Sequence, residues 1–197
     1  MKKNIVCLVF LTAFCVGSVQ ARTVLSPIKA KGIVDRAQIG GAGLHVVSIW
    51  DARPIVSVAA DGGFTTVISN QRPQKISLID TDGSTRALAI SLPDKPDNIT
   101  FDATSTAAAV LFQDSGSFGK SADVERFLKL AEKKDSFKRL VLFLKSNLLN
   151  NSLEQLNRDE RYVALVEECN NEIFGQDQKA IRSSLTVAQG RLKDLLE

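Results

Sequence analysis

The spacing of apolar residues changes period part-way along the chain, and that change most constrains what the chain can fold into. Up to Leu92 the apolar residues come in short runs separated by turn residues; beyond Pro93 and Pro96 they recur three and four positions apart. One strand face takes every second residue, and one helix face takes residues at a period of 3.6. The pattern therefore predicts an α+β chain, with strands first and helices after. The β-rich runs are Lys29–Asp35, Leu44–Trp50, Ile55–Ala59, Phe64–Ser69, Lys75–Asp80 and Arg86–Leu92. Short strands repeating at roughly ten-residue intervals predict an antiparallel β-sandwich rather than a parallel sheet. Asp61-Gly62-Gly63 and Asp82-Gly83 have the residues that tolerate a reversal, as does Gly40-Gly41-Ala42-Gly43. Arg53-Pro54 and Arg72-Pro73 mark strand ends, where no amide is free to donate. Phe64, Thr66 and Ile68 share one strand face, as do Ile76 and Leu78, so the core is expected on one side.

In the second half, Thr106–Gln113 reads as a short helix capped by Thr104 or Ser105, although a buried strand fits so brief a run nearly as well. Apolar stripes follow at Val124, Phe127, Leu128 and Ala131, then at Phe137, Leu140, Val141, Leu144 and Leu148. Ser152 and Gln155 have capping-box spacing. Asp159 is expected to open a helix with Tyr162, Val163, Val166, Cys169, Ile173 and Phe174 on its apolar side, and Gly175 to end it. The last stripe, Ile181, Leu185, Ala188, Leu192 and Leu195, predicts a helix over 179–196 docked on the Tyr162–Phe174 stripe, with a weak dimer or an exported partner as the alternative.

The first residues read as an export signal over 1–21: basic Lys2 and Lys3, an apolar run from Ile5 to Val16, and Val19-Gln20-Ala21 where signal peptidase cuts. A run this short falls below the roughly 20 residues of a spanning helix. Lipidation at Cys15 needs a small residue before it, and Phe14 stands there. The expected mature chain begins at Arg22, with a β domain over 22–95 and a helical region over 96–197. It is secreted, periplasmic or held at the cell surface, and meets the membrane only through the transient signal.

Losing Lys2 and Lys3 takes the 25 basic residues to 23 against 22 acids, close to neutrality. Lys133-Lys134 and Lys138-Arg139 are broken up by acids, so the concentrated basic face that nucleic acid requires is not expected. Cys169 would be the lone cysteine of the mature chain, which rules out an internal disulfide there and predicts a buried thiol on a helix stripe.

Residues 28–92 resemble the carboxypeptidase regulatory-like domain, a transthyretin-like sandwich. The resemblance rests on Gly32-Ile33-Val34-Asp35, Gly41-Ala42-Gly43, Leu44-His45-Val46-Val47-Ser48 and Asp61-Gly62-Gly63-Phe64-Thr65. That family usually has Pro-Leu-x-Gly-Ala before the valine-rich strand, where this chain has Ile39-Gly40-Gly41-Ala42-Gly43. The resemblance implies an accessory fold that stabilises, spaces or binds.

Candidate chemistry is sparse. His45 is the only histidine, so a two-histidine metal site is excluded, and without a Gly-x-Ser-x-Gly elbow it reads as a strand residue. The segment from Asp114 to Ser121 ends in Gly119-Lys120-Ser121 like a phosphate loop, but Asp114 replaces the first glycine and would repel phosphates. It reads instead as a loop with Ser121 capping the next helix, and no nucleotide is expected. Asp61, Asp80 and Asp82 could offer oxygens to calcium, yet the distal glutamate of a calcium loop is missing, so they read as turn residues. The expectation is a non-catalytic exported module with no catalytic, cofactor-binding or metal-binding residue assigned and no cofactor. Its partner would be an exported protein or a polysaccharide. The alternative is a small extracytoplasmic hydrolase or ligand-handling protein whose site forms only in three dimensions.

Overall fold

The structure, a computed structural model, describes residues 27–48, 56–114 and 120–175. The export signal expected over 1–21 and the helix expected over 179–196 lie outside them. Seven strands come first among the described residues: β1 Pro27–Val34, β2 His45–Ser48, β3 Val56–Ser57, β4 Gly63–Ser69, β5 Gln74–Ile79, β6 Thr85–Ser91 and β7 Ile99–Phe101. Helices α1 Ala103–Asp114, α2 Ser121–Ala131, α3 Asp135–Asn147 and α4 Leu153–Leu156 follow, and a fifth, α5, occupies 160–175. The strands form two sheets, ordered β4-β1-β7 and β3-β2-β5-β6.

Pairing is antiparallel except between β1 and β7, which run parallel. This corrects two expectations, since the sheets are not wholly antiparallel and strand structure continues beyond residue 95. With only Ile99, Thr100 and Phe101, β7 is too short to show a period, and the prolines before it read as punctuation. Its partner holds it as a strand, Gly32 to Val34 pairing with Ile99 to Phe101.

β4 follows its pattern. Phe64, Thr66 and Ile68 are buried and Thr65 is exposed, so one face enters the core. Phe64 lies opposite Gly32 in the β1–β4 register, its ring centroid 5.5 Å from that of Phe101. A methyl group at Gly32 would sit 2.3 Å from the Phe64 ring and 2.5 Å from the Ile99 carbonyl oxygen. No side chain fits there, so glycine lets the ring close over β1 and lets β7 approach the other side. Gly62, at the turn into β4, has a φ of +88°, the reversal expected of Asp61-Gly62.

β5 alternates strictly, with Gln74, Ile76 and Leu78 buried. β6 does not: Ala87, Leu88 and Ala89 are buried in succession, so both its faces are covered. Ala87 and Ala89 lie opposite Leu78 and Ile76 in β5, whereas Leu88 points the other way. On that side α1 presents Thr106, whose hydroxyl accepts from the Leu88 N–H and donates to the Leu88 carbonyl, both at 3.3 Å. α1 is buried nearly all round through Ala103, Ala107, Ala108, Ala109 and Leu111, and such small side chains let its backbone approach the sheet.

The helix ends both match and correct the sequence reading. Asp102, not Thr104 or Ser105, caps α1: its carboxylate accepts from the Ser105 N–H at 2.7 Å while the Ser105 hydroxyl accepts from the Asp102 N–H at 2.9 Å. Lys120 is the N-cap of α2 without a side-chain bond, and Ser121 is the first helical residue, so Ser121 does not cap it. The Ser152–Gln155 capping box is present, and Asp159 caps α5 by accepting from the Arg161 N–H at 2.8 Å. Gly175 is still helical and does not adopt the left-handed conformation of a helix stop.

One hydrophobic cluster takes residues from both sheets and from every helix. Three further links tie the halves together. The Gly40 N–H donates to the Leu148 carbonyl at 3.3 Å, the Ala103 N–H to Gln38 Oε1 at 3.2 Å, and the Thr85 N–H to the Glu154 carboxylate at 3.0 Å. Phe127 of α2 stacks on Phe174 of α5 at 5.6 Å. Phe64→Ala is expected to lower unfolding free energy by about 3 to 5 kcal/mol, the range for truncating a buried phenylalanine, measured by urea denaturation. A loss below about 1 kcal/mol would mean that the β4 face does not hold the core.

Candidate functional site

The residues singled out for chemistry do not converge. His45 is half buried in β2, and its Nδ1 lies 3.4 Å from the hydroxyl of Ser57, its cross-strand partner in β3. Among the described residues no carboxylate is hydrogen-bonded to the His45 ring, so the pair lacks the third group that orients the ring in a hydrolytic triad. In the segment resembling a phosphate loop, residues 115–119 lie outside the described residues; beyond them Lys120 is exposed at the start of α2.

The aspartates form separate turns. Asp61 Oδ1 accepts from the Gly63 N–H at 2.9 Å, before β4. At the β5–β6 turn, Asp80 Oδ1 accepts from the Asp82 N–H at 3.2 Å and Asp82 Oδ1 from the Ser84 N–H at 2.7 Å. Hydrogen bonding to Asp80, and then to Ser84, holds the Asp82 carboxyl at about 2. Asp80 is also ion-paired with Arg86 at 2.7 Å. These carboxylates shape their own turns, and among the described residues no three acids, histidines or cysteines are placed to hold a metal ion.

A polar cluster that the sequence did not announce lies between α3 and α5. Ser136 is fully buried, and its hydroxyl donates to the Glu172 carboxylate, which Lys134 also approaches at 3.7 Å. Beside it Cys169 is fully buried, as expected from its stripe. The Ser136 bond pulls the Glu172 carboxyl below its usual range, whereas burial pushes the Cys169 thiol up. A nucleophilic cysteine needs the opposite environment, one that favours thiolate. The cluster therefore fastens two helices and leaves the thiol inert.

Two cavities, each of about 330 Å³, accompany the helices. One lies between the end of β6, the start of α1 and α2. Its apolar lining is Ile90, Leu92, Ala108, Val124 and Leu128, and its polar lining includes Lys95, Asp102, Glu125 and Glu132. Lys95 is ion-paired with Glu125. The other is bounded by Leu88, Val110 and Leu153 and by Tyr162, Val163 and Val166 of α5. His45 lines neither. The charged lining of the first is drawn from three places in the chain, the β6–β7 connection, the start of α1 and α2 with its C-cap, so no motif spacing could have marked it. Its apolar lining residues read in sequence only as core.

Native Cys169 is expected to react with a maleimide at least about a hundredfold more slowly than in guanidinium chloride, because access requires α5 to open. Mass spectrometry of the peptide containing Cys169 measures this; equal rates would contradict its burial. Compared with models of protein families, with curated proteins and with solved structures, the chain gives no match.

Proposed function

We propose that the chain is a non-catalytic exported binding or structural module, built on a β-sandwich of the carboxypeptidase regulatory-like kind with a helical layer packed on it. What carries the reading is the engagement of its reactive side chains in holding the fold. Thr106 binds β6, Ser136 binds Glu172, Asp102 and Asp159 cap helices, and Asp80 holds Arg86. The partner would be an exported protein or a polysaccharide. The sandwich reading is supported by two sheets sharing one hydrophobic cluster, and by the two parts of the resemblance that meet: Gly32 lies opposite Phe64. The parallel strand β7 departs from a simple antiparallel sandwich. A small hydrolase is the competing reading because His45 lies near Ser57.

Expression in an exporting host tests both parts. The intact mass is expected to correspond to a chain starting at Arg22, and purified protein is expected to turn over chromogenic esters and glycosides no faster than its His45→Ala variant. A mass that retains residues 1–21 would overturn export. Turnover that disappears in both His45→Ala and Ser57→Ala would make the chain an enzyme.

A further inference from the structure

We infer that the second cavity, between β6, α1, α4 and α5, receives residues 179–196 of this same chain, their apolar stripe lying along α5. The Tyr162–Phe174 stripe expected to receive them is already covered at its centre. Tyr162 and Cys169 are buried, and the Tyr162 ring lies 6.0 Å from that of Phe143 in α3. What α5 leaves open is a line further round the helix. Val163 and Asn170 each directly follow one of those buried residues, so each lies about 100° round from it, and Val166 falls between the two lines. All three border the cavity, together with Leu88, Val110 and Leu153. Val163 is 39% exposed, so this apolar line is not closed as the Tyr162 line is.

Continuity, length and pattern select this occupant. α5 runs to residue 175, and only Gln176, Asp177 and Gln178 separate it from residue 179, a connection of the length that joins two antiparallel helices. At 1.5 Å per residue α5 spans about 24 Å and a helix over 179–196 about 27 Å, so a segment turned back along α5 passes Val166 and Val163. Ile181, Leu185, Ala188, Leu192 and Leu195 recur four and three apart, the same steps as Val163, Val166 and Asn170, so the two lines can mesh. An isolated helix of that length is marginal in water, and packing its stripe is what would hold it. The charges agree with the direction. Glu167 and Glu160 lie beside the α5 line, and among the described residues neither is in an ion pair. Arg182 and Lys193 lie on the same side of the other stripe, in the order that an antiparallel pair brings opposite those acids. Such surface pairs add little energy, but they favour one orientation.

The test is methyl NMR on the full chain with a soluble paramagnetic chelate, which broadens the signals of methyl groups open to solvent. The Val163 and Val166 methyls are expected to be shielded, whereas those of Leu142, 63% exposed on α3, are broadened. That measurement needs no variant. Leu185→Glu combined with Leu192→Glu should abolish the shielding of both valines, and Ser183→Glu, on the side away from the stripe, should preserve it. Unchanged amide shifts in β4 and β5 verify that each variant is folded. Shielding in the unsubstituted chain should not change on dilution. Valine methyls broadened like those of Leu142 before any substitution would overturn the inference, as would shielding that survives the double glutamate variant. Shielding lost on dilution would overturn it too, by seating a second copy in the cavity.

Discussion

The arrangement depends on one small polar contact, the Thr106 hydroxyl on both backbone groups of Leu88. β6 is the last strand of its sheet, so its outer N–H and C=O groups have no strand partner. Buried without partners, such groups cost about 1 to 3 kcal/mol each. A hydroxyl that accepts from the amide and donates to the carbonyl replaces the missing strand at that residue. The threonine is itself fully buried, so the contact is made inside the protein. It allows a helix to lie directly over a sheet edge, which protects that edge from pairing with another chain.

The position of α1 then sets what surrounds it. Its alanines bring the backbone close to β6, and its capping residue Asp102 follows β7 immediately, so the helix leaves the first sheet and crosses to the second. α2 and α3 extend the same hydrophobic cluster. At the other end of the helical layer, Gly40 meets the end of α3 so closely that a methyl group there would lie 1.8 Å from the Leu149 carbonyl oxygen. The first cavity lies between β6, α1 and α2. It is thus a product of how the helices are mounted, unlike the β5–β6 and β3–β4 turns, whose aspartates are occupied locally.

Six strands were legible because turn residues bound them and because β4 and β5 bury alternate side chains. The capping box at Ser152 and the cap at Asp159 were equally local, and both are present. What escaped depends on contacts between distant segments. β7 exists through its pairing with β1. α1 is buried on nearly all sides, so it has no polar face to reveal a helical period, and the same run could be taken for a buried strand. The first cavity was hidden for a related reason. Its apolar lining looks like core in sequence, and Lys95 and Glu125, thirty residues apart, are paired only in the folded chain.

Native-state hydrogen exchange at the Leu88 amide tests the central role of this contact. An edge-strand amide open to water exchanges through small local fluctuations, whereas one closed by Thr106 requires α1 to leave. The Leu88 amide is therefore predicted to be protected to the same extent as amides of the interior strand β5, such as that of Leu78. Exchange at the rate of an exposed edge amide, with β5 still protected, would contradict the account by showing that α1 does not hold β6.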